Sequence, residues 1–312
     1  MAVPTLLSRN LSLPAIVAPM FLASGPDLVV AVCKAGLIGT FPTLNQRNAQ
    51  GYETWLQEIS TRLEVESDAT APFGVNLIVN KSNARLAEDL DITVKYRVPL
   101  VITSLGAVRE VVDAIHSYGG CVFHDVINLR HAEKAAEAGV DGIIAVCTGA
   151  GGHAGVLSPF ALIPEIRSIF GGTVVLAGAI STGAQIAAAR MMGADLAYLG
   201  TRFLATAESM ADPAHKQMIL RARAKDIVYT PAISGVSANF LAESLRSNGL
   251  DPERLAGMKP QDLSDEVKAW KTVWSAGQGV GSVNEILPAT ELCRKLIQEY
   301  KAAHAQLTPP FS

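Results

Sequence analysis

Residues 173–203 read TVVLAGAISTGAQIAAARMMGADLAYLGTRF, and the fold follows from this stretch. An apolar, β-branched run ends in Gly178-Ala179, turns at Ser181-Thr182-Gly183 into an alanine-rich helical pattern, and stops at Gly193. A second apolar run follows and ends in Gly200-Thr201. Both runs are apolar throughout rather than alternating, as strands of a parallel sheet covered on both faces require. Glycine just past a helical pattern is the usual C-terminal stop. The unit is strand, helix, strand.

The same unit recurs toward the N-terminus. Strand candidates are 15–20, 38–44, 73–78, 100–105, 121–127, 142–147, 173–180 and 196–203. Helical patterns such as 27–35, 52–63, 108–118, 129–138 and 183–192 lie between them, several ending at a glycine (Gly36, Gly119, Gly139). Eight such units predict an α/β protein, a (β/α)8 TIM barrel. The alternative, a doubly wound open sheet, usually carries Gly-x-Gly-x-x-Gly after its first strand, where this chain has Ala23-Ser24-Gly25-Pro26. Past the eighth run the pattern breaks. Residues 226–281, with short helical pieces at 238–246 and 263–272, read as a small, mainly helical cap inserted after the last strand. A final helix at 283–307 returns to the wall, so the barrel comprises 1–225 and 282–312.

The 312 residues are 49% hydrophobic, ample for one large core. A net charge of −3 with scattered basic residues argues against nucleic acid or acidic membrane as partner. No basic segment leads into an apolar one at the N-terminus and no 18 apolar residues run together, so neither secretory signal nor membrane span is expected, and a cytoplasmic location is. Cys33, Cys121, Cys147 and Cys293 lie far apart, which fits reduced thiols better than disulfides or a zinc site; no metal is expected.

Barrel chemistry lies at the C-terminal ends of the strands. There, CTGAGGHAGVLSP (147–159) sets His153 among Gly149, Gly151, Gly152 and Gly155. Such glycines permit φ > 0 and close approach of a flat ligand, and they weaken any helix or strand. His153 is thus a candidate acid/base group presented to a ligand; the alternative is a glycine-rich turn with an incidental histidine. Small residues at Gly178-Ala179 and Gly200-Thr201, and the helix start at Ser181-Thr182-Gly183, offer backbone amides for a phosphate. With Ala18-Pro19-Met20 and Asn76 they suit flavin mononucleotide (FMN), Met20 against the ring and Asn76 at its pyrimidine end. Of His124 and Asp125, neighbours on one strand, only one can face the mouth; His124 reads equally well as a packed core histidine. Ser275-Ala276-Gly277-Gln278-Gly279 reads as a loop folding over the ligand, with Gln278 as donor. Trp270 and Trp274 read as cap packing on a helix, and His116, His131 and His215 as helix-surface residues.

The segments AIVAPM, PFGVNL, GIIAVCTGAGGHAG, VVLAGAISTGAQIAAARMMGADLAYLGTRFLAT and WSAGQGVG resemble the nitronate monooxygenase family (older name 2-nitropropane dioxygenase) of flavin-dependent barrels. The resemblance covers residues 15–207 and the end of the cap. Related enoyl-acyl-carrier-protein reductases and NADH:quinone reductases share these motifs. It implies FMN held by Ala18, Pro19, Met20, Asn76, Gly151, Gly178, Ala179, Gly200 and Thr201, and His153 as the catalytic group facing the flavin. Ser275, Gly277 and Gln278 are candidates on the substrate side. One departure concerns Asp125, a candidate cofactor contact: some relatives have lysine after the strand-5 histidine. A carboxylate there would not stabilise an anionic reduced ring as lysine does. The implied activity is oxidation of alkyl nitronates with O2, His153 abstracting the α-proton of a neutral nitroalkane or orienting the anionic nitronate. The alternatives are an NAD(P)H-dependent quinone or enoyl-thioester reductase on the same scaffold, and a non-catalytic flavin-binding module.

Overall fold

The computed structural model describes residues 3–64, 69–80, 82–106, 108–233, 235–255 and 272–306. Strands β1 (Ala15–Val17), β2 (Ile38–Pro42), β3 (Phe73–Ile78), β4 (Leu100–Ser104), β5 (Cys121–Val126), β6 (Gly142–Val146), β8 (Thr173–Ala177) and β9 (Leu196–Leu199) pair in parallel, and β9 closes on β1 to form a barrel. Each barrel strand begins at the residue where its apolar run begins. Most end sooner than the run does.

The intervening helices form the wall. Leu129–Ala138 has the bounds read from sequence. Asn128 accepts from His131 N–H at its start, and Gly139 ends it at φ 86°, a left-handed cap that favours glycine. Pro26–Lys34, Ala49–Glu64, Arg109–His116 and Gly183–Met191 fall within a few residues of their expected places. The last helix is Ala289–Gln306; it starts later than expected because the chain first bridges to Thr206 through Leu287 and turns into the helix after Pro288.

Two apolar layers hold the barrel. The inner one takes alternate strand positions, among them Ile16, Ile38, Ile102, Phe123, Ile144 and Val175, and Leu7 of the short N-terminal helix joins it. The outer one lies between strands and helices and includes Val17, Val75, Val122, Ile143 and Leu199. This phase decides which side chains reach the mouth.

The excursion after β9 forms more than helices. Strands β10 (Ile227–Thr230) and β11 (Ala238–Leu241) make an antiparallel hairpin, and β11 also pairs with β7 (Gly152–His153), through Ala238 with His153 and Asn239 with Gly152. The stretch 238–246, read as helical, is strand for its first four residues and then helix from Ala242 to Ser247. Pairing with β10 and β7 overrides the local preference of Ala-Asn-Phe-Leu. The expected helix at 263–272 lies outside the described residues except for Thr272, as does Trp270. A small apolar cluster of Ala232, Ile233, Phe240, Leu245, Leu255 and Val273 packs beneath the hairpin. Among the described residues no helix is long and apolar enough to cross a membrane, and all four cysteines are buried and free.

Candidate active site

The inner phase carries Leu100 and Ile102 on β4, Cys121 and Phe123 on β5, and Leu196 with half-buried Tyr198 on β9. Two residues further on, the same phase brings Ser104 and Asp125 to the mouth. Asp125 therefore faces inward and His124 outward. His124 is a packed histidine: its Nδ1 lies 2.7 Å from Thr103 Oγ1, and burial lowers its pKa to about 4.

Asn76, Ser104 and Asp125 form a hydrogen-bonded chain across three adjacent strands. Asn76 Nδ2 donates to Ile102 O at 3.1 Å and to Ser104 Oγ at 2.8 Å. A carbonyl only accepts, so this pair fixes the amide's orientation and uses both N–H hydrogens, leaving Asn76 its acceptor oxygen for a ligand. Ser104 Oγ donates to Asp125 Oδ2 at 2.5 Å. Asp125 Oδ1 is buried and has no hydrogen-bond partner among the described residues. Burial raises the Asp125 carboxyl from 3.8 to about 6, against the opposing pull of the Ser104 hydroxyl. Tyr198 is held well above the usual phenol range, by burial first and then by the Asp125 charge.

Beside this chain, the ends of β1 and β9 meet. Ala18 N–H donates to Leu199 O at 2.9 Å. A Cβ built on Gly200 would sit 3.7 Å from Ala18 Cβ and 3.9 Å from Met20 Cγ, ordinary contact with room above it. Pro19, half-buried, completes that wall. After β8 the chain passes through Gly178 at φ 150° and Ala179 at φ 52°, the latter in a region non-glycine residues seldom occupy.

The helix start expected to bind phosphate does not present its amides. Ser181 N–H and Thr182 N–H donate to Gln185 Oε1 at 2.7 and 3.1 Å, and Gly183 N–H to Glu299 Oε2 at 2.8 Å. The last helix also lies against it, so a Cβ on Gly183 would fall 2.2 Å from Leu296 O. The amides of Ala179, Ile180, Thr201 and Arg202, by contrast, have no acceptor among the described residues. The amides without an acceptor among the described residues thus lie in the turn after β8 and at the start of the short helix Thr201–Leu204.

The histidine loop is stitched to the strap 275–279. Gly152 N–H donates to Ser275 Oγ (2.7 Å), which donates on to Asn239 O (2.6 Å). Asn239 Nδ2 donates to Ala150 O (2.6 Å), Gln278 N–H to Gly149 O (2.9 Å) and Ser181 Oγ to Gly279 O (3.0 Å). Ser275 therefore spends its hydroxyl proton on Asn239 O and has none for a ligand. Exposed Gln278 keeps its side chain at the loop, its Oε1 3.0 Å from where a Gly149 Cβ would lie. Gly149 (φ 82°) and Gly152 (φ 68°) need glycine for conformation. Gly151 and Gly155 do not. Their missing side chains make room for backbone instead: Cβ atoms there would meet Gly277 N at 2.9 Å and Val146 O at 2.7 Å.

Strand β7 holds His153 half-buried against β11. His215, read as a surface residue, is buried: its Nε2 lies 3.0 Å from Ser275 O and its ring stacks on Trp274 at 5.2 Å. Trp274 lies just before the strap rather than on a helix. Ser104, Tyr198 and Asn239 were not singled out from sequence. The first two stand in phase with expected inner residues, which is the signal that marks them.

The unspent polar groups gather at the C-terminal ends of the barrel strands, the end where barrel enzymes work, and the chain is an enzyme of that class. The sequence profile of the nitronate monooxygenase family matches residues 82–299, and the chain belongs to that family. It is 30% identical to a nitronate monooxygenase of Paraburkholderia phytofirmans, with 94% of each chain covered. In structure it is similar to nitroalkane oxidase of Streptomyces ansochromogenes (TM-score 0.81, 26% identity, 97% of this chain and 100% of that one). It is equally similar to FabK of Thermotoga maritima (TM-score 0.81, 25% identity, 97% and 96%).

Proposed function

We propose that this protein is an FMN-dependent monooxygenase that oxidises alkyl nitronates with O2, in the cytoplasm. The observation that carries the cofactor reading is the set of groups left unpaired at the mouth. Asn76 has an acceptor and no free N–H, which suits the N–H of a flavin pyrimidine ring. The amides of Ala179, Ile180, Thr201 and Arg202 await an anion, with Gly178 and Gly200 keeping the loops low. Ala18, Pro19, Met20 and Gly200 supply a wall for a flat ring. Gly151 and Thr201 border the same space.

When bound, FMN would accept electrons from the nitronate and pass them to O2. The chain's own task is position and proton. His153 takes the α-proton of a neutral nitroalkane on an imidazole nitrogen, or holds an already anionic nitronate through its N–H. Residues 226–281 act as a lid on the barrel of 1–225 and 282–312, with Gly277 and Gln278 at its inner edge. The second reading, an NAD(P)H-dependent quinone or enoyl-thioester reductase, draws on the same shared motifs. Anaerobic mixing of the yellow protein separates the two. Bleaching by an alkyl nitronate and not by NADH or NADPH is expected; rapid bleaching by a pyridine nucleotide would move the activity to the reductase class. Bleaching by none of them would leave a flavin-binding module.

A further inference from the structure

We propose that Asp125 is the cofactor's proton-holding contact: a neutral carboxyl that ends the Asn76–Ser104–Asp125 chain and donates from Oδ1 to an acceptor atom on the polar edge of the bound flavin. This rests on the FMN reading above. All donors in the chain run one way, from Asn76 Nδ2 to Ser104 Oγ and from Ser104 Oγ to Asp125 Oδ2. Oδ2 is therefore satisfied, while Oδ1 is buried with no donor to meet it among the described residues. An ionised carboxylate is acceptor-only, so in that state Oδ1 would be both charged and unpaired; a proton removes the charge and turns the atom into a donor.

The surroundings favour the proton. Beta-strand neighbours supply Ser104 from β4 and Ile144, in register with Asp125, from β6; Asn76 lies beyond Ser104 on β3, and Tyr198 faces inward from β9. Tyr198 stays a neutral phenol. Among the described residues no cation acts on Asp125: burial raises its titration and the Ser104 hydroxyl opposes it. A flat ligand over the mouth excludes water and adds to the burial. Flavin binding would then draw one proton from solvent onto Oδ1, with no other bond made or broken. Where the family resemblance leads to a lysine, this chain would present a neutral donor.

The test uses flavin-free protein and two probes, FMN and riboflavin; riboflavin lacks the phosphate and its own titration. In wild type, riboflavin affinity should fall by roughly tenfold per pH unit above the carboxyl's free-state titration near pH 6. D125N, which keeps a donor without a titrating proton, should bind with little pH dependence. Calorimetry on wild type in two buffers of different ionisation enthalpy should show uptake approaching about one proton per flavin above neutral pH, and this readout needs no variant. Parallel pH profiles in wild type and D125N, or no proton uptake, would overturn the proposal while leaving FMN binding intact. Failure of wild type to bind either flavin would instead overturn the cofactor reading, and the proposal with it.

Discussion

Gly277 donates its N–H to Thr201 Oγ1 at 2.8 Å, and Gly151 lies where these two meet. Three segments far apart in sequence (the loop after β6, the start of the short helix after β9 and the returning strap) thus cross with no space for a side chain. The strap is held at this crossing. The described residues of 226–281 share one small apolar cluster, which is little for independent stability.

Gly277→Ala should undo the crossing. Its Cβ would fall 2.5 Å from Gly149 O and 2.8 Å from Gly151 N, both backbone atoms, and overpacking of this kind costs about 1–3 kcal/mol. Gly281→Ala, four residues along with nothing within 4 Å of its Cβ, should stay within about 0.5 kcal/mol of wild type. Denaturant melts compare the two, and limited proteolysis should cut the G277A lid first. Equal stabilities would mean the strap is not held there.

Gly200 tests the phosphate site by a side chain of small size against one that brings a negative charge. G200A places a methyl at ordinary contact from Ala18 and Met20 and should retain FMN. G200D adds a carboxylate beside the Thr201 and Arg202 amides and should lower the flavin retained after gel filtration by about tenfold or more, since a like-charge contact costs several kcal/mol. Full retention in G200D would place the phosphate elsewhere.

The barrel was legible in the sequence because buried parallel strands are apolar on both faces. Their starts were fixed by the step from polar turn to apolar run. Their ends were not, because Met20, Cys147 and Ile180 in the loops and Phe203 in the short helix Thr201–Leu204, all past the last paired residues, are buried and look like strand. The small residues of the site were visible too, but not what they serve. Gly151 reads as space for a ligand and is space for Gly277; Ser181–Gly183 reads as an open anion site and is capped by Gln185 and Glu299. Capping by a residue more than a hundred positions away leaves no local trace. For the same reason His215 looked solvent-facing: its partners, Trp274 and Ser275, come from the start of the strap and the residue before it, about sixty residues later.

His153→Asn separates its two proposed roles. Asparagine keeps polarity and approximate size without a proton acceptor of suitable basicity. A general base contributes about 10²–10⁴-fold, so turnover of neutral nitroalkanes should fall by that much and turnover of preformed nitronate far less. FMN content should be unchanged, because the proposed phosphate amides lie elsewhere, in the turn after β8 and at the start of the helix Thr201–Leu204. Equal losses on both substrates would assign His153 to anion orientation, and no loss on either would make the loop structural.

Acid stability should report the two buried histidines. Burial holds both His124 and His215 at about 4, below the ordinary 6.5, so between those values the folded protein binds fewer protons than the unfolded chain. Their contribution is complete above pH 6.5 and is lost as pH falls toward 4, at most about 3 kcal/mol for each. Asp125, raised from 3.8 to about 6, works in the opposite sense: the flavin-free folded protein gains stability as pH falls through 6 and the carboxyl takes its proton. Unfolding free energy of the flavin-free protein, measured by urea between pH 7 and pH 4.5, should therefore decline with the slope of two histidines less one carboxyl. H215Q, whose side-chain amide can still donate to Ser275 O, should make the decline shallower, and D125N should make it steeper. An unchanged slope in H215Q would mean that His215 is free to take a proton in the folded state, and that the strap is not closed over it.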